Sequence, residues 1–328
     1  MKKVAVLGSG AWGTTLGQVM VDSGQQVLIW GRNKKVVREI NRRHSNRRFL
    51  KGIDLPRELK ATTDIKAALE FAEVILLAIP AQTLRENLVS WKGFFPAELP
   101  VISTLKGIEV ETQFRMTEVV QDVLAVDQSR LGIITGPNLA SEIIMRQPAG
   151  AVAASENQQN IDLMVEMFST NYFRIYPSSD LIGCEFAGAA KSVIALAVGM
   201  GYGENTQGLM ITRGLAEVAK LGEAYGANPL TFLGLAGIGD LVASAQSPLS
   251  RNRSFGEVLG KTGSITKARA QVVKTVEGVY SAGAMLELAH RVGVEAPIIE
   301  VVSDVVAGTL NPKDAVDRLM KVSIKADI

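Results

Sequence analysis

The sequence predicts an α/β protein, with a Rossmann-like doubly wound N-terminal domain followed by an all-α C-terminal domain. Three observations carry that expectation. Short β-rich runs alternate with helical patterns through the first half. Some of these runs, such as Val74-Ile75-Leu76-Leu77-Ala78-Ile79, are apolar on both faces, as parallel strands covered by helices on either side must be. After Tyr176 strand signals give way to windows rich in Ala, Gly, Leu and Glu.

Taken in order, strands are expected at Val4 to Leu7, Gln26 to Trp30, Val74 to Ile79, Val101 to Thr104, Leu131 to Thr135, Ala151 to Ala154 and Phe173 to Tyr176. Helical patterns intervene at Thr14 to Val21, Lys34 to Arg43 and Asp64 to Phe71. Pro177-Ser178-Ser179-Asp180 reads as a turn and helix start, so the division is set at residues 1–178 and 179–328. Beyond it, helical windows run over Leu181 to Val198, Leu209 to Tyr225, Val276 to Val292, Ile298 to Gly308 and Asp314 to Lys321.

At 328 residues the chain has room for two cores, and 47% hydrophobic with 21% charged residues is the balance of a globular protein. A formal net charge of +2 gives no general attraction to nucleic acid or to an anionic membrane. Cys184 is the only cysteine, which excludes an internal disulfide and a cysteine-built zinc site; no metal is expected. The apolar run after Lys2 and Lys3 ends at Leu7, too short for a signal peptide. The run from Val193 to Val198 is far below the roughly 20 residues of a membrane span. These readings together predict a cytoplasmic protein with no membrane insertion.

Gly8, Gly10 and Gly13 in GSGAWG fit G-x-G-x-x-G, straight after an apolar strand and before a helix. In that context the first glycine permits a tight turn, the second lets a diphosphate reach the backbone, and the third lets helix and strand pack closely. The free amides at the helix start face the anion. This predicts a dinucleotide site in residues 1–178; the bland alternative is a glycine-rich turn with no ligand. Where an NAD-selective unit carries an acid at the end of the second strand, this chain reads Trp30-Gly31-Arg32-Asn33-Lys34. A cation there pairs with a 2′-phosphate, so NADP is expected to be accepted and NADPH preferred over NADH, unless Arg32 points to solvent. The basic run Asn41 to Arg48 lacks interleaved aromatics and reads as a solvated face or an anion-attracting rim rather than a nucleic-acid patch.

Reduction of a ketone needs a group that exchanges a proton with the substrate oxygen. His44 lies in the basic run and His290 in a charged helix, so lysine takes precedence. Lys191 stands among small and apolar residues in Gly188-Ala189-Ala190-Lys191-Ser192-Val193-Ile194; either its stem packs while the ammonium reaches water, or it serves a pocket. Lys106 follows a strand end, at the edge where α/β sheets bind ligands. Gly237-Ile238-Gly239-Asp240 puts a carboxylate in a glycine-rich turn, and Ser250-Arg251-Asn252 suits a phosphate.

With these motifs in order the sequence resembles the bacterial NAD(P)-dependent sn-glycerol-3-phosphate dehydrogenases over nearly its whole length. The shared segments are GSGAWG at Gly8–Gly13, LKGIE at Leu105–Glu109, GPNLA at Gly136–Ala140, GAAKSVIALAVG at Gly188–Gly199, NTQGLMITRGLAE at Asn205–Glu217, GIGDL at Gly237–Leu241, SRN at Ser250–Asn252 and VEG at Val276–Gly278. The resemblance implies interconversion of sn-glycerol 3-phosphate and dihydroxyacetone phosphate with NAD(P)(H), supplying glycerol 3-phosphate for phospholipid synthesis. It implies Lys191, Lys106 and Asp240 as the catalytic group. Lys106, Gly136, Asp240, Ser250, Arg251 and Asn252 would bind substrate, with Asn205 and Thr212 as further pocket candidates. The cofactor would be held by Gly8, Gly10, Ala11, Trp12, Gly13, Arg32, Lys106, Asn138, Ala140, Arg251 and Glu277.

Two departures stand out: the family often has a longer insert between the lysine helix and Gly201-Tyr202-Gly203, and it usually carries Thr where this chain has Ser244. A homodimer is the expectation from symmetry statistics alone. Two rival functions stay open, a reductase of similar build acting on an unphosphorylated ketone or β-hydroxy acid, and a cofactor-sensing protein without turnover.

Overall fold

The computed structural model describes residues 1–320 apart from Ala97, Tyr202, Val273 and Lys274. It divides into two compact units: Met1–Lys106 with Phe114–Cys184, and Gly107–Gln113 with the chain from Glu185 onward. The expected division after Ser178 lies just before the helix inside which the units part. Tyr202 and Lys321, both within expected features, lie outside the described residues.

The first unit is one eight-stranded sheet. Its strands are β1 (Lys3–Leu7), β2 (Gln26–Trp30), β3 (Lys60–Thr62), β4 (Val74–Leu77), β5 (Val101–Ser103), β6 (Leu131–Thr135), β7 (Ala149–Ala154) and β8 (Phe173–Ser178), in the spatial order β3-β2-β1-β4-β5-β6-β7-β8. All neighbours are parallel except β6 and β7. Around it lie α1 (Ala11–Asp22), α2 (Lys34–Arg43), α3 (Ile65–Phe71), α4 (Leu84–Trp91), α5 (Met116–Leu124), α6 (Ala140–Ile143) and α7 (Gln158–Phe168).

Side chains alternate along the central strands between two cores, one on each face. Val4, Val6, Val74 and Leu76 join the cluster around Leu16, Ile29, Phe168 and Phe173. Ala5, Leu7, Ile75 and Leu77 join the one around Leu84, Trp91 and Val120. Each Val, Ile or Leu side chain so buried contributes about 1.5–3 kcal/mol relative to exposure. This is why the β1 and β4 sequences are apolar throughout.

Local signals set the helix ends. The Asn33 side chain accepts N–H bonds from Lys35 and Val36 at the start of α2, and Asp64 does the same for Lys66 and Ala67 at α3. The antiparallel pairing of β6 with β7, whose connection contains α6, and the three-residue β3 were not anticipated from the sequence. The expected turn at Pro177-Ser178 is instead the end of β8, paired with Ala153 and Ala154.

The second unit is helical: α8 (Leu181–Gly199), α9 (Glu204–Ala224), α10 (Asp240–Gln246), α11 (Arg251–Thr262), α12 (Ile265–Gln271), α13 (Glu277–Arg291), α14 (Pro297–Ala307) and α15 (Pro312–Met320). α8 as a whole, unlike the Val193–Val198 run alone, is long and apolar enough to cross a membrane, yet 89% of its apolar window is buried within the protein. Its small residues let neighbours approach backbone to backbone. A Cβ on Gly256 of α11 would stand 2.1 Å from the Leu196 carbonyl oxygen.

Candidate active site

In the first unit the glycine turn lies at the switch point of the sheet, where the chain has wound outward from β1 to β3 and returns to place β4 on the other side. The Gly8 N–H donates to the Trp30 carbonyl (3.0 Å) and the Ala78 N–H to the Leu7 carbonyl (3.0 Å), locking the ends of β1, β2 and β4 together. The three glycines differ in what a side chain would meet. At Gly8, with φ +140°, a Cβ would sit 2.2 Å from the Ala78 carbonyl oxygen, and at Gly13 one would sit 2.0 Å from the Gly8 carbonyl oxygen. At Gly10 nothing lies within 4 Å. Two positions are therefore closed by backbone, and the middle one borders open space. Gly10 is also the N-cap of α1 and provides no side-chain cap, so the first-turn amides of Ala11, Trp12 and Gly13 receive no cap from it. Arg32 is exposed just beyond β2, after Gly31 donates its N–H to Thr62 (3.0 Å).

Lys106 follows β5. The Thr104 hydroxyl and N–H both donate to the Leu77 carbonyl (2.8 and 3.1 Å), which fixes the chain leading to it. The Lys106 ammonium donates to the carbonyl of Gly136 (2.9 Å), whose φ of +129° just past β6 is one that glycine adopts without strain. Two residues on, both polar side-chain atoms of Asn138 are buried with no hydrogen-bond partner among the described residues. Unmet polar atoms of this kind are rare unless a ligand or water completes them. Ala140 opens α6, and its carbonyl accepts from the Thr15 hydroxyl of α1 (3.4 Å).

In the second unit Lys191, in the middle of α8, donates from its ammonium to Asp240 Oδ1 and to Ser244 Oγ, both at 2.9 Å. Ser244 in turn donates to Asp240 Oδ1 at 3.4 Å. The lysine side chain is 16% exposed and the aspartate 2%. Ala187, Ala190, Ile194, Phe232 and Leu241 line the same small hollow, so the apolar surroundings expected from the sequence are present. Asp240 was expected in a turn. It is instead the first residue of α10, fed directly by a single π-helical turn, Leu235–Gly239, in which the close approach of Gly237 to the Phe232 carbonyl admits no side chain. At a helix start the dipole favours its negative charge.

Ser250, Arg251 and Asn252 open α11. Ser250 caps the helix by accepting the Arg253 N–H (3.4 Å), exposed Arg251 donates to the Thr275 carbonyl (2.8 Å), and Asn252 Oδ1 accepts the Gly278 N–H (3.0 Å). Glu277 is the first residue of α13. A Cβ on Gly278 would meet the Ser192 carbonyl oxygen at 2.4 Å, so α13 begins against the residue following Lys191. Sequence reasoning gave Gly278 no role, although a glycine one place after a helix start was its visible signal. Asn205 and Thr212 are exposed on α9.

A doubly wound sheet with a glycine turn at its switch point, followed by a helical unit holding a buried lysine–aspartate pair, defines a Rossmann-like, two-unit chain of the dehydrogenase type. Residues 3–161 match the model of the NAD-dependent glycerol-3-phosphate dehydrogenase N-terminus, and residues 180–317 that of the C-terminus. The glycerol-3-phosphate dehydrogenase [NAD(P)+] of Thermobifida fusca is 46% identical, with 100% of this chain and 99% of that protein covered, and that of Streptomyces griseus is 45% identical with 99% and 98% covered. The crystal structure of glycerol-3-phosphate dehydrogenase from Coxiella burnetii superposes with a TM-score of 0.91 at 32% identity, covering 98% of this chain and 99% of that one. The chain belongs to the NAD-dependent glycerol-3-phosphate dehydrogenase family.

Proposed function

We propose that the protein is a glycerol-3-phosphate dehydrogenase that interconverts sn-glycerol 3-phosphate and dihydroxyacetone phosphate with NADP(H) or NAD(H). The observation that carries this reading is the buried Lys191–Asp240 pair on a helix of small residues, because it supplies a proton-exchanging group in a setting of the kind a ketone reductase needs. Full-length relatives that carry this activity in their names support it.

The first unit fits a dinucleotide. Gly10 borders open space between two glycines closed by backbone, and the orphaned polar atoms of Asn138 await partners. Gly8, Gly10, Ala11, Trp12, Gly13, Asn138 and Ala140 would hold the cofactor, with Arg32 on the 2′-phosphate and Arg251 and Glu277 as further contacts. Bound there, a nicotinamide supplies or accepts the hydride at C2. The rest falls to the chain's own groups. Ser250, Arg251 and Asn252 grip the substrate phosphate, and that remote binding places the carbonyl. Lys191 passes a proton from its ammonium to the oxygen at C2 as the alkoxide forms, and takes it back in the reverse direction. Lys106, steadied by the Gly136 carbonyl, stabilises the negative charge on that oxygen. Asp240 holds the lysine in place.

Residues 1–178 thus act as the dinucleotide-binding domain and 179–328 as the helical substrate and catalytic domain. With Arg32 and no acid at the end of β2, NADPH is the preferred reductant. We further read the protein as a cytoplasmic homodimer without membrane insertion, serving phospholipid synthesis. Burial of the apolar α8 and of the single cysteine supports that placement.

The test is a spectrophotometric assay of NADPH and NADH oxidation with dihydroxyacetone phosphate. Turnover with both, and a higher kcat/KM for NADPH, is expected. Equal turnover of an unphosphorylated ketone would overturn the substrate assignment, and no turnover at all would overturn the enzyme.

A further inference from the structure

Asn46 lies in the basic stretch after α2 and was read from the sequence only as part of a charged surface. It is fully buried. Its side-chain Nδ2 donates twice, to the Ser9 carbonyl (3.1 Å) and to the Thr14 hydroxyl (2.9 Å). Those two residues bracket Gly10 to Gly13, the stretch whose amides the dinucleotide reading assigns to the diphosphate. The opposite amide orientation would set Oδ1 against the Ser9 carbonyl oxygen, so this one is required, and it leaves the buried Oδ1 without a partner among the described residues.

The Asn46 backbone is fixed as well. Its carbonyl accepts N–H bonds from Phe49 (3.1 Å) and Leu50 (2.7 Å), while the neighbouring Ser45 hydroxyl and Arg47 N–H both donate to Glu39 of α2 (2.9 and 3.0 Å). The side chain therefore reaches the turn from a rigid mount.

The Ser9–Gly10 peptide makes that mount consequential. In a trans peptide the carbonyl and the next N–H point in opposite directions, and the described residues contain no cis bond. A donor that captures the Ser9 carbonyl on the buried side turns the Gly10 N–H away from the interior, and Gly10 is the position bordering open space. We propose that Asn46 is a positioning residue for the dinucleotide diphosphate: by holding the Ser9 carbonyl it pre-aims the Gly10 amide at the anion. Pre-aimed donors bind more tightly because no reorganisation accompanies binding. This rests on the reading that a dinucleotide occupies the turn.

The test compares Asn46→Leu, which removes both donors without adding charge, with Thr14→Val, which removes only the bond to α1. Asn46→Ala serves should leucine not be accommodated. Direct titration with NADPH is expected to show Kd raised about tenfold in the Asn46 variants, the scale of one hydrogen bond to a charged group. The KM for NADPH should rise in parallel, while kcat at saturating NADPH and the KM for dihydroxyacetone phosphate stay near wild type. Thr14→Val should keep Kd within about twofold. A purely structural loss lowers the active fraction and leaves Kd alone. Wild-type Kd in the Asn46 variants, or equal weakening by Thr14→Val, overturns the inference. Failure of the wild type to bind NADPH or NADH would instead remove the dinucleotide reading beneath it.

Discussion

Lys191 and Asp240 form a 2.9 Å ion pair between the middle of α8 and the first residue of α10, with the carboxylate almost wholly out of water. Burying a carboxylate and an ammonium costs several kcal/mol each, and a pair like this is often no better for stability than apolar residues of the same size. A pair in such a core of Ala, Ile, Phe and Leu is the setting that the proposed proton-exchanging role of Lys191 calls for.

Lys191→Met removes the ammonium paired with the buried Asp240 and should destabilise the protein by about 3 kcal/mol, while kcat falls about 100-fold or more. The double variant Lys191→Met with Asp240→Asn removes both charges and should recover most of the lost Tm with no recovery of kcat. Thermal melts and steady-state rates on the three proteins decide it; a double variant with restored kcat would take the pair out of the chemistry.

Ser244 completes the cluster, accepting from Lys191 and donating to Asp240. It stands where the resemblance leads one to expect Thr, and the two hydroxyls are equivalent in this role except that Thr is stiffer at χ1. Ser244→Thr should keep wild-type kcat. Ser244→Ala should lower kcat about 2- to 10-fold, the value of one hydrogen bond of about 0.5–1.5 kcal/mol. A kcat for the alanine variant equal to wild type would show that Asp240 alone orients the lysine.

The glycine turn yields a prediction in which stability and binding part company. Gly13→Ala puts a methyl 2.0 Å from the Gly8 carbonyl oxygen and should cost about 1–3 kcal/mol through backbone displacement. Gly10→Ala meets nothing within 4 Å and has φ −74°, so its Tm should match wild type. Its Kd for NADPH should nonetheless rise at least about tenfold, because the methyl takes space a diphosphate needs. Unchanged NADPH affinity in Gly10→Ala would refute the placement of the diphosphate.

Much of this was legible in the sequence, for reasons that differ by element. β1 and β4 announced themselves because both faces are buried, and α2 because Val36, Val37 and Ile40 share one face under an Asn33 cap. β3 was silent: its three residues, Lys60-Ala61-Thr62, pair with one neighbour and bury only Ala61. Asp240 and Ser250 stand out by residue type, yet Asp240 was expected in a turn and no helix was expected at Ser250, whereas each lies at a helix start. Glycine normally breaks helices, so nothing in Gly237-Ile238-Gly239 announces the π-helical turn that leads into α10. Asn46 was hidden for the opposite reason. Four arginines and a histidine around it gave the segment the look of solvated surface, and no period marks a single buried amide in a loop.

Glu217 offers a pH-dependent prediction away from the site. It is nine-tenths buried on α9, and its two carboxyl oxygens accept the N–H groups of Ile298 and Ile299 at the start of α14. Burial pushes its pKa up to about 7, outweighing those bonds and the attraction of Arg213 and Lys220, which pull it down. An unfolded glutamate ionises near 4.5, so between about pH 4.5 and 7 the folded chain holds a proton that the unfolded chain has lost. Stability from this group therefore falls as pH rises through that window, by roughly 1 kcal/mol per pH unit at most, and levels off above the folded pKa. Glu217→Gln keeps an acceptor for α14 and removes the titration. Its Tm should equal wild type near pH 4.5 and exceed it near pH 8, with the gap opening between the two. A constant difference in Tm across that range would mean that Glu217 stays ionised in the fold and acts only as a cap.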